Sequence, residues 1–583
     1  MPPPERRCPG DAATAAEDRW RARMDRRVLG VLVATLVVVL GVGDVRERLV
    51  DAAPLALRHK AVALYTLLLP PVDGTDDLAP MDHLEANPYA VNVFLEQEVE
   101  EWKIRRSLEM IHDAGFGWIK QQVVWATVEG PGRGRFVEGP NGRDSWAKYD
   151  RIVYLAEQYG LKVIFRIDTS PEWARPIGVA KIETPPSNAE DYAEFARKLA
   201  ERYQGRVRHF QIWNEPNLPF EWGDREPSPA EYTNLLRAAY RAIKSTNPDA
   251  VVISAAMAPT TEYSEKGINE LIFLQRMYDV GAKEYFDVLG ANAYGLRSGP
   301  DDRRLAIDRD VNFSRPLLVR RVMVRNGDAG KPIWASEVGW NAAPEDHPGA
   351  PVFGRVDRDL QARYTVRAYE RAQDEWPWMG VMALWHFRLV APEGRLLPQF
   401  YFNAVDDDFT PEPLYLAMRD LARRPGPIPR GYRQEDDWRI DYRGDWRRAG
   451  DPRAVARSYT ESASRDAGLS FRFRGTDLEV VLDRFDGAGA LDVTVDGGPP
   501  VTVDGGGIGE AWGVRVTVAR DLPDGVHALE ARVADGRPVR VDGFVVDRRA
   551  GSPGLSGETG LLVAGVLAVG AAAVGARRQG RGS

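Results

Sequence analysis

The chain has 583 residues, of which 44% are hydrophobic and 28% are charged, and its formal net charge is −8. This composition is typical of a globular protein with room for two to four domains, and it excludes a disordered or fibrous chain. The acidic balance argues against nucleic-acid binding, which requires a basic face.

Residues 28–43 form an uncharged apolar stretch that follows a basic tail over residues 1–27. Its length lies between the ~7–15 residues of a signal-peptide core and the ~20 residues of a spanning helix. No small-residue cleavage site follows it, so we interpret it as an uncleaved transmembrane anchor rather than a signal peptide. Residues 44–85 carry Arg58, His59 and Lys60 inside an apolar run. Such charges are costly at a bilayer centre, which favours a stalk or interfacial helix over a second span.

Short β-rich runs alternate with amphipathic helical stretches from residue 86 to residue 422, a pattern typical of βα units around a parallel sheet. The β-rich runs are 90–95, 116–124, 161–167, 207–213, 250–256, 286–294, 331–338 and 380–387. The helical stretches are 98–113, 146–159, 190–203, 229–245, 267–280 and 357–374. The eight runs predict a (β/α)8 barrel, whose active site lies at the carboxyl ends of the strands.

After a Pro- and Gly-rich linker at 422–431, short alternating runs separated by Asp-Gly and Gly-Gly turns fill residues 432–548. They predict an antiparallel, jelly-roll-like β-sandwich. Its candidate sugar platforms are Trp438, Trp446 and Trp512. The sequence leaves open whether this domain binds carbohydrate or is a structural spacer.

A linker over residues 549–559 leads to a second apolar stretch, 560–576, which a basic tail over 577–583 follows. Because positive residues stay cytoplasmic, two such anchors predict that everything between them lies outside the cytoplasm. A hydrophobic tail removed by processing is the alternative for the second stretch.

Two glutamates follow strands on opposite sides of the predicted barrel mouth. Glu215 stands in Trp-Asn-Glu-Pro after the fourth run, and Glu337 stands in Ser-Glu-Val-Gly-Trp at the end of the seventh. Glycosidic cleavage needs two facing carboxylates, one to protonate the leaving oxygen and the other to attack the anomeric carbon or activate water. A single strand-end glutamate is usually a cap or a salt-bridge partner, so it is the pair that predicts catalysis.

These motifs resemble those of the clan A glycoside hydrolases over residues 86–422, and they are similar to those of family 39 and family 5. The stretch 213–223 is most similar to family 39. The resemblance implies a retaining mechanism with Glu215 as general acid/base and Glu337 as nucleophile. It also implies that Asn214 binds the sugar 2-hydroxyl, that Tyr294 holds the nucleophile, and that Trp385 stacks on the sugar. The departure from the family pattern is Lys120, which stands on strand two where many clan A members carry arginine.

Weaker candidates for sugar contacts are Trp125 and Trp340 in strand-end loops, for which core packing is the alternative. We interpret Arg166 and Asp168, at the end of the third run, as a structural ion pair. The acidic run 406–408 favours a turn over a calcium site, since three adjacent acids converge poorly. The single cysteine, Cys8, and seven scattered histidines predict neither disulfides nor a zinc site, and no cofactor is expected.

The sequence therefore predicts a membrane-anchored, extracytoplasmic retaining β-glycosidase acting on a surface or secreted polysaccharide, oligosaccharide or glycolipid. Two alternatives remain: a catalytically silent carbohydrate-binding or envelope-assembly protein, and a transglycosylase on the same scaffold. The sugar, its linkage, exo or endo action and the oligomeric state are left open.

Overall fold

The computed structural model describes residues 65, 78–84, 87–139, 141–305, 310–391, 394–424 and 426–548. These residues form two compact units, one within 81–424 and the other within 426–548 together with 78–80. The predicted anchors at 28–43 and 560–576 lie outside the described residues, as do the predicted tails and the linker at 549–559. No helix in the described part is both long and apolar enough to cross a membrane.

The first unit is built on eight parallel strands, whose hydrogen-bonded order is β6-β7-β8-β1-β2-β3-β4-β5. The strands are β1 Tyr89–Val93, β2 Trp118–Val124, β3 Lys162–Asp168, β4 His209–Ile212, β5 Val251–Ile253, β6 Leu289–Tyr294, β7 Ile333–Gly339 and β8 Met379–Leu384. Parallel bridges from Ile253 to Val288 and from Met257 to Ala291 join the two ends of this order, so the sheet closes. The predicted (β/α)8 barrel is confirmed, with each strand inside its predicted run or within one residue of it.

Eight helices of ten or more residues follow the strands: α1 Glu101–Asp113, α2 Ala147–Gln158, α3 Ala189–Arg202, α4 Pro229–Thr246, α5 Glu270–Asp279, α6 Arg315–Arg325, α7 Arg358–Glu375 and α8 Pro413–Ala422. Several begin at a side-chain cap; Ser228 at the start of α4, for example, accepts a hydrogen bond from the Glu231 amide. The helices α6 and α8 were not among the predicted stretches, and the buried face of α6 carries arginines. Arg315 forms an ion pair with buried Glu270, and Arg320 donates to the carbonyl of Lys331.

The interior of the barrel is arranged in layers. An apolar floor includes Ala90, Trp118, Ile164, Trp334 and Ala383 from five different strands. Because side chains on a strand alternate between two faces, the residue two positions further along points to the same side. Those next residues are mostly polar: Asn92, Lys120, Arg166, Ser336 and Trp385. The interior thus changes from apolar to polar toward the carboxyl ends of the strands.

The second unit is an antiparallel sandwich. Its strands are β9 Gly431–Gln434, β10 Asp441–Arg443, β11 Arg447–Gly450, β12 Ser458–Ser462, β13 Gly468–Gly475, β14 Asp477–Arg484, β15 Ala490–Val495, β16 Val501–Asp504, β17 Ala511–Ala519, β18 Gly525–Val533 and β19 Val539–Asp547. One sheet has the order β11-β12-β19-β14-β17 with β9 on β19, and the other has the order β10-β13-β18-β15-β16. The eight strands β12 to β19 thus follow the jelly-roll order, as predicted.

The three tryptophans proposed as sugar platforms in this unit are all partly buried. Trp446 packs against the apolar core, and its indole N–H contacts the carbonyls of Arg443 and Gly468. Trp512 lies beneath the guanidinium of Arg453, 4.5 Å from its ring centroid. Within residues 426–548, no aromatic side chain is among the exposed large hydrophobic groups. Each of these three rings therefore has part of its surface covered within the sandwich.

Candidate active site

The two candidate carboxylates meet at the mouth of the barrel, bridged by one amide. Asn292 Nδ2 donates to Glu215 Oε1 at 2.7 Å and lies 3.5 Å from Glu337 Oε2. Glu337 is 5% exposed and Glu215 is partly buried. The two carboxylates that the sequence placed on strands four and seven are therefore close neighbours in the folded protein.

The register between β6 and β7 places the groups around Glu337. Asn292 is the strand partner of Glu337, just after an irregularity at Ala291. Tyr294 lies two residues further along, on the same face of β6, and its hydroxyl donates to Glu337 Oε2 at 2.6 Å. The predicted contact between Tyr294 and the candidate nucleophile is thus present.

The chain carrying Glu215 has an unusual backbone. Trp213 and Glu215 both have positive φ angles, 70° and 35°, a region that costs a residue with a side chain about 1–3 kcal/mol. The turn is held by specific bonds: Trp213 Nε1 donates to the Glu221 carbonyl at 2.9 Å, and the Asn217 amide binds the backbone of Ala258 and Ile268. The surrounding structure thus keeps the Glu215 carboxylate in a conformation that this segment would not adopt alone.

Two buried cations lie beside Glu337. Lys120 Nζ is 3.9 Å and Arg166 Nη1 is 3.8 Å from Glu337 Oε1. Lys120 also contacts the Ser336 hydroxyl and its carbonyl oxygen, and the Ser336 hydroxyl donates to Gln211 Oε1 at 2.9 Å. The side chains of Lys120 and Arg166 place positive charge beside one oxygen of Glu337.

Burial and charge separate the proton affinities of the site. Burial first, and then the negative charge of Glu337, raise the pKa of Glu215 well above that of an ordinary glutamate. Burial also lowers the pKa of Lys120 to about 7, although Glu337 opposes this shift. A carboxyl group with a raised pKa suits a general acid.

The other two candidate sugar contacts, Asn214 and Trp385, lie near the carboxylate pair. Asn214 lies next to Glu215, and its Oδ1 accepts from Arg166 at 3.3 Å. Trp385 follows β8 and is partly buried, with its ring edge-to-face against Phe94 at 5.8 Å. Both side chains therefore lie at the same end of the barrel as the carboxylate pair.

Trp125 and Trp340 are core residues in the structure, which differs from the expectation that they contact sugar. Trp125 is 0% exposed, stacks on Phe195 and donates to Glu129 Oε2 at 2.8 Å. Trp340 is 1% exposed and donates to the Ser298 carbonyl at 2.8 Å. Its ring packs so tightly on Gly295 that a Cβ there would lie 2.1 Å from it. A strand-end position in the sequence did not distinguish a loop tryptophan facing the cleft from one folded beneath it.

Two polar groups of this site were not predicted from the sequence. Asn292 is a polar residue within an apolar parallel strand, and that contrast was the available signal. Glu221 lies six residues after Glu215, and burial raises its pKa to about 7, with Arg166, Asp168 and Glu337 among its charged neighbours. No sequence pattern distinguished Glu221 from other loop acids.

Neither the acidic run nor any other group in the described residues forms a metal site. Asp406 pairs with Arg395, and its Oδ1 accepts from the Asp407 amide at 2.8 Å. Asp408 accepts from the Thr410 amide at 2.9 Å. These bonds are those of the turn that the sequence favoured.

Comparison with known proteins gives one family. Residues 86–275 match the model of the cellulase family, glycosyl hydrolase family 5. The matched stretch contains Glu215 and ends before Glu337. No curated protein matches the sequence.

Three of the similar solved structures are glycoside hydrolases. A family 39 enzyme from Bacteroides cellulosilyticus WH2 has a TM-score of 0.46 and 18% identity, covering 78% of this chain and 82% of its own. A monomeric β-xylosidase from Caulobacter crescentus CB15 has a TM-score of 0.44 and 16% identity, and the match covers 78% of this chain and 98% of that enzyme. A family 5 protein from Streptomyces cattleya, in complex with Manβ1-4GlcNAc, has a TM-score of 0.45 and 18% identity, and the match covers 59% of this chain and 83% of that protein.

Proposed function

We propose that this protein, whose barrel matches a clan A glycoside hydrolase family over residues 86–275, is a retaining β-glycosidase. The observation that supports this most directly is the Asn292 amide shared by Glu215 and Glu337 at 2.7 and 3.5 Å. Two carboxylates that share one amide donor are close neighbours. This proximity supports a retaining pair, in which one carboxylate attacks the anomeric carbon directly.

In the first step of the proposed reaction, a Glu337 oxygen attacks the anomeric carbon while Glu215 gives its proton to the departing oxygen. The anomeric C–O bond breaks, and a glycosyl ester on Glu337 forms. In the second step Glu215, now ionised, takes a proton from water, and that water releases the sugar from Glu337 with net retention. Tyr294, Lys120 and Arg166 hold the Glu337 carboxylate in place before it attacks.

The substrate class that we propose is a β-linked oligosaccharide, polysaccharide or glycolipid at the cell surface. This location rests on the apolar stretches 28–43 and 560–576 and their basic flanks. Protease treatment of intact cells carrying the full chain tests it, since an extracytoplasmic barrel would be digested while a cytoplasmic marker survives.

The decisive experiment uses the full chain in detergent on a panel of aryl β-glycosides and polysaccharides. We expect cleavage with retained configuration, and a loss of about 10²–10⁴-fold or more in the Glu215→Gln and Glu337→Gln variants. Azide should restore activity to both alanine variants. The product should be an α-glycosyl azide with Glu337→Ala and a β-glycosyl azide with Glu215→Ala. Opposite product configurations would distinguish the nucleophile from the acid/base.

Failure of the whole panel, with sugar binding unchanged in both glutamine variants, would contradict the enzymatic proposal and favour a carbohydrate-binding protein. Product analysis with added acceptor sugar separates hydrolysis from transglycosylation, because both share the glycosyl intermediate.

A further inference from the structure

Arg166 contacts more of the candidate site than a structural ion pair requires. Its side chain is nearly buried at the end of β3. The guanidinium pairs with Asp168 Oδ2 through Nε at 2.8 Å, donates from Nη1 to Asn214 Oδ1 at 3.3 Å, and lies 3.8 Å from Glu337 Oε1. It therefore joins the predicted ion pair to both the candidate nucleophile and the neighbour of Glu215.

The contact with Asn214 determines which way that amide faces. A side-chain amide has one oxygen that accepts hydrogen bonds and one nitrogen that donates two. Because Asn214 Oδ1 is taken by the guanidinium, the donors on Nδ2 must point elsewhere. Among the described residues, no protein acceptor binds Nδ2, so the donors are available to a ligand.

Arg166 is itself held in position by its neighbours. Asp168 Oδ1 accepts from Gln122 Nε2 at 2.7 Å, while Oδ2 pairs with the guanidinium. Gln122 and Arg166 are register partners on β2 and β3, so this chain of contacts follows the strands. A guanidinium can contact several partners at fixed angles at once, whereas the ammonium of a lysine is a single point charge.

We propose that Arg166 is a positioning residue that orients the Asn214 amide, so that Nδ2 donates to the sugar hydroxyl beside the reacting carbon. This inference rests on the proposed glycosidase function. In this chain the arginine comes from β3, while Lys120 occupies the strand-two place where many clan A members carry arginine. Arg166 acts through Asn214 and does not itself contact substrate.

The test compares an aryl β-glycoside with its 2-deoxy counterpart, using the full-length protein. The readout is the ratio of the two kcat/KM values, because overall damage to the enzyme affects both substrates alike. We expect the preference for the 2-hydroxy substrate to fall at least about tenfold in Asn214→Ala, and by a similar factor in Arg166→Met. The double variant should lose no more than either single variant, since both remove the same hydrogen bond.

Arg166→Lys provides the discriminating variant, because it keeps a positive charge near Glu337 but cannot reproduce the guanidinium contacts. It should lose the 2-hydroxyl preference as Arg166→Met does. The matched control is Arg320→Lys, at another buried arginine, which lies on α6 and donates to the carbonyls of Ala329 and Lys331. This control should keep the preference of the wild type.

Independent, additive losses in Asn214→Ala and Arg166→Met would overturn the inference, as would an unchanged preference in Arg166→Met. A crystal structure of Arg166→Met supplies a readout without activity: we expect the Asn214 amide to rotate, and an amide in its original orientation would also overturn it. A wild type that cleaves no glycoside would contradict the proposed function, while the crystal structure would still test the orientation of Asn214.

Discussion

The two units of the chain place their polar groups in opposite ways. Above its apolar floor, the barrel interior carries Lys120, Arg166, Asn292, Ser336 and Glu337, all nearly buried. The space between the two sheets of the sandwich is instead filled by aliphatic and phenylalanine side chains. Buried polar groups are costly unless they are paired, so their concentration in one place suggests a functional requirement. The contrast assigns the chemistry to the barrel and a structural role to the core of the sandwich.

The sandwich has a smaller set of buried acids. Asp483 on β14 and Asp542 on β19 are 1% and 0% exposed, and burial together with the charge of Asp483 raises the pKa of Asp542 to about 7. Asp542 accepts from the Val455 amide at 3.0 Å and from the Tyr432 hydroxyl at 3.3 Å, and Asp483 accepts from the Gly513 amide at 3.0 Å. These bonds join strands and loops within one sheet, as expected of a structural pair.

The largest effect on stability should come from removing a fully buried tryptophan ring from the barrel. We expect Trp340→Ala to destabilise the barrel by about 3–5 kcal/mol, because a fully buried ring leaves a cavity. Trp446→Ala, in the sandwich, should cost less, since that ring is only partly buried. Calorimetry of the full chain measures both, and equal losses would contradict the difference in burial.

A pair of matched tyrosines tests where the chemistry lies. Tyr294→Phe removes the 2.6 Å hydrogen bond to Glu337, and we expect kcat to fall about 10–100-fold, the range for a bond to a charged group. Tyr432→Phe removes a bond to Asp542 in the sandwich and should leave kcat unchanged. A large fall in kcat for the sandwich variant would refute the separation of roles.

The alkaline side of the pH profile reports the acid/base residue. The proposed acid must be protonated, so kcat/KM falls as the pH rises through the pKa of Glu215. The hydrogen bond from Asn292 lowers this pKa, although burial raises it more. Removing the amide in Asn292→Ala should therefore shift the alkaline limb upward, by about one pH unit. If the alkaline limb moved to lower pH instead, a group other than Glu215 would control it.

A pH dependence of stability is also expected in the sandwich. The pKa of Asp542 is about 7 in the folded chain and 3.8 in the ordinary case, so the folded state binds a proton more tightly than the unfolded state does. The stability that this proton supports is complete at low pH and is lost as the pH rises from 3.8 towards 7. Asp542→Asn should flatten this part of the curve, measured by denaturation of the full chain at several pH values. If stability in Asp542→Asn changed with pH as steeply as in the wild type, other groups would be responsible for the pH dependence.

Local patterns in the sequence were enough to determine the fold class of both units. Alternation of apolar strands with amphipathic helices predicted the barrel, because parallel strands covered on both faces are apolar throughout. The turn-separated alternating runs predicted the sandwich for the same kind of local reason. The helix α6 escaped prediction because the partners of buried Arg315 and Arg320 lie on other segments, where no local pattern records them.

The sequence by itself also determined the carboxylate pair, since Glu215 and Glu337 follow strands in motifs that require no knowledge of their surroundings. Only the tertiary structure decided which side chains accompany them. The register of the strands brings Asn292 to both carboxylates, and Arg166 on β3 contacts Asn214 at the end of the adjacent strand. Trp125 and Trp340 fold into the core. Each of these outcomes depends on contacts between residues far apart in the chain, and such contacts form only when the barrel closes.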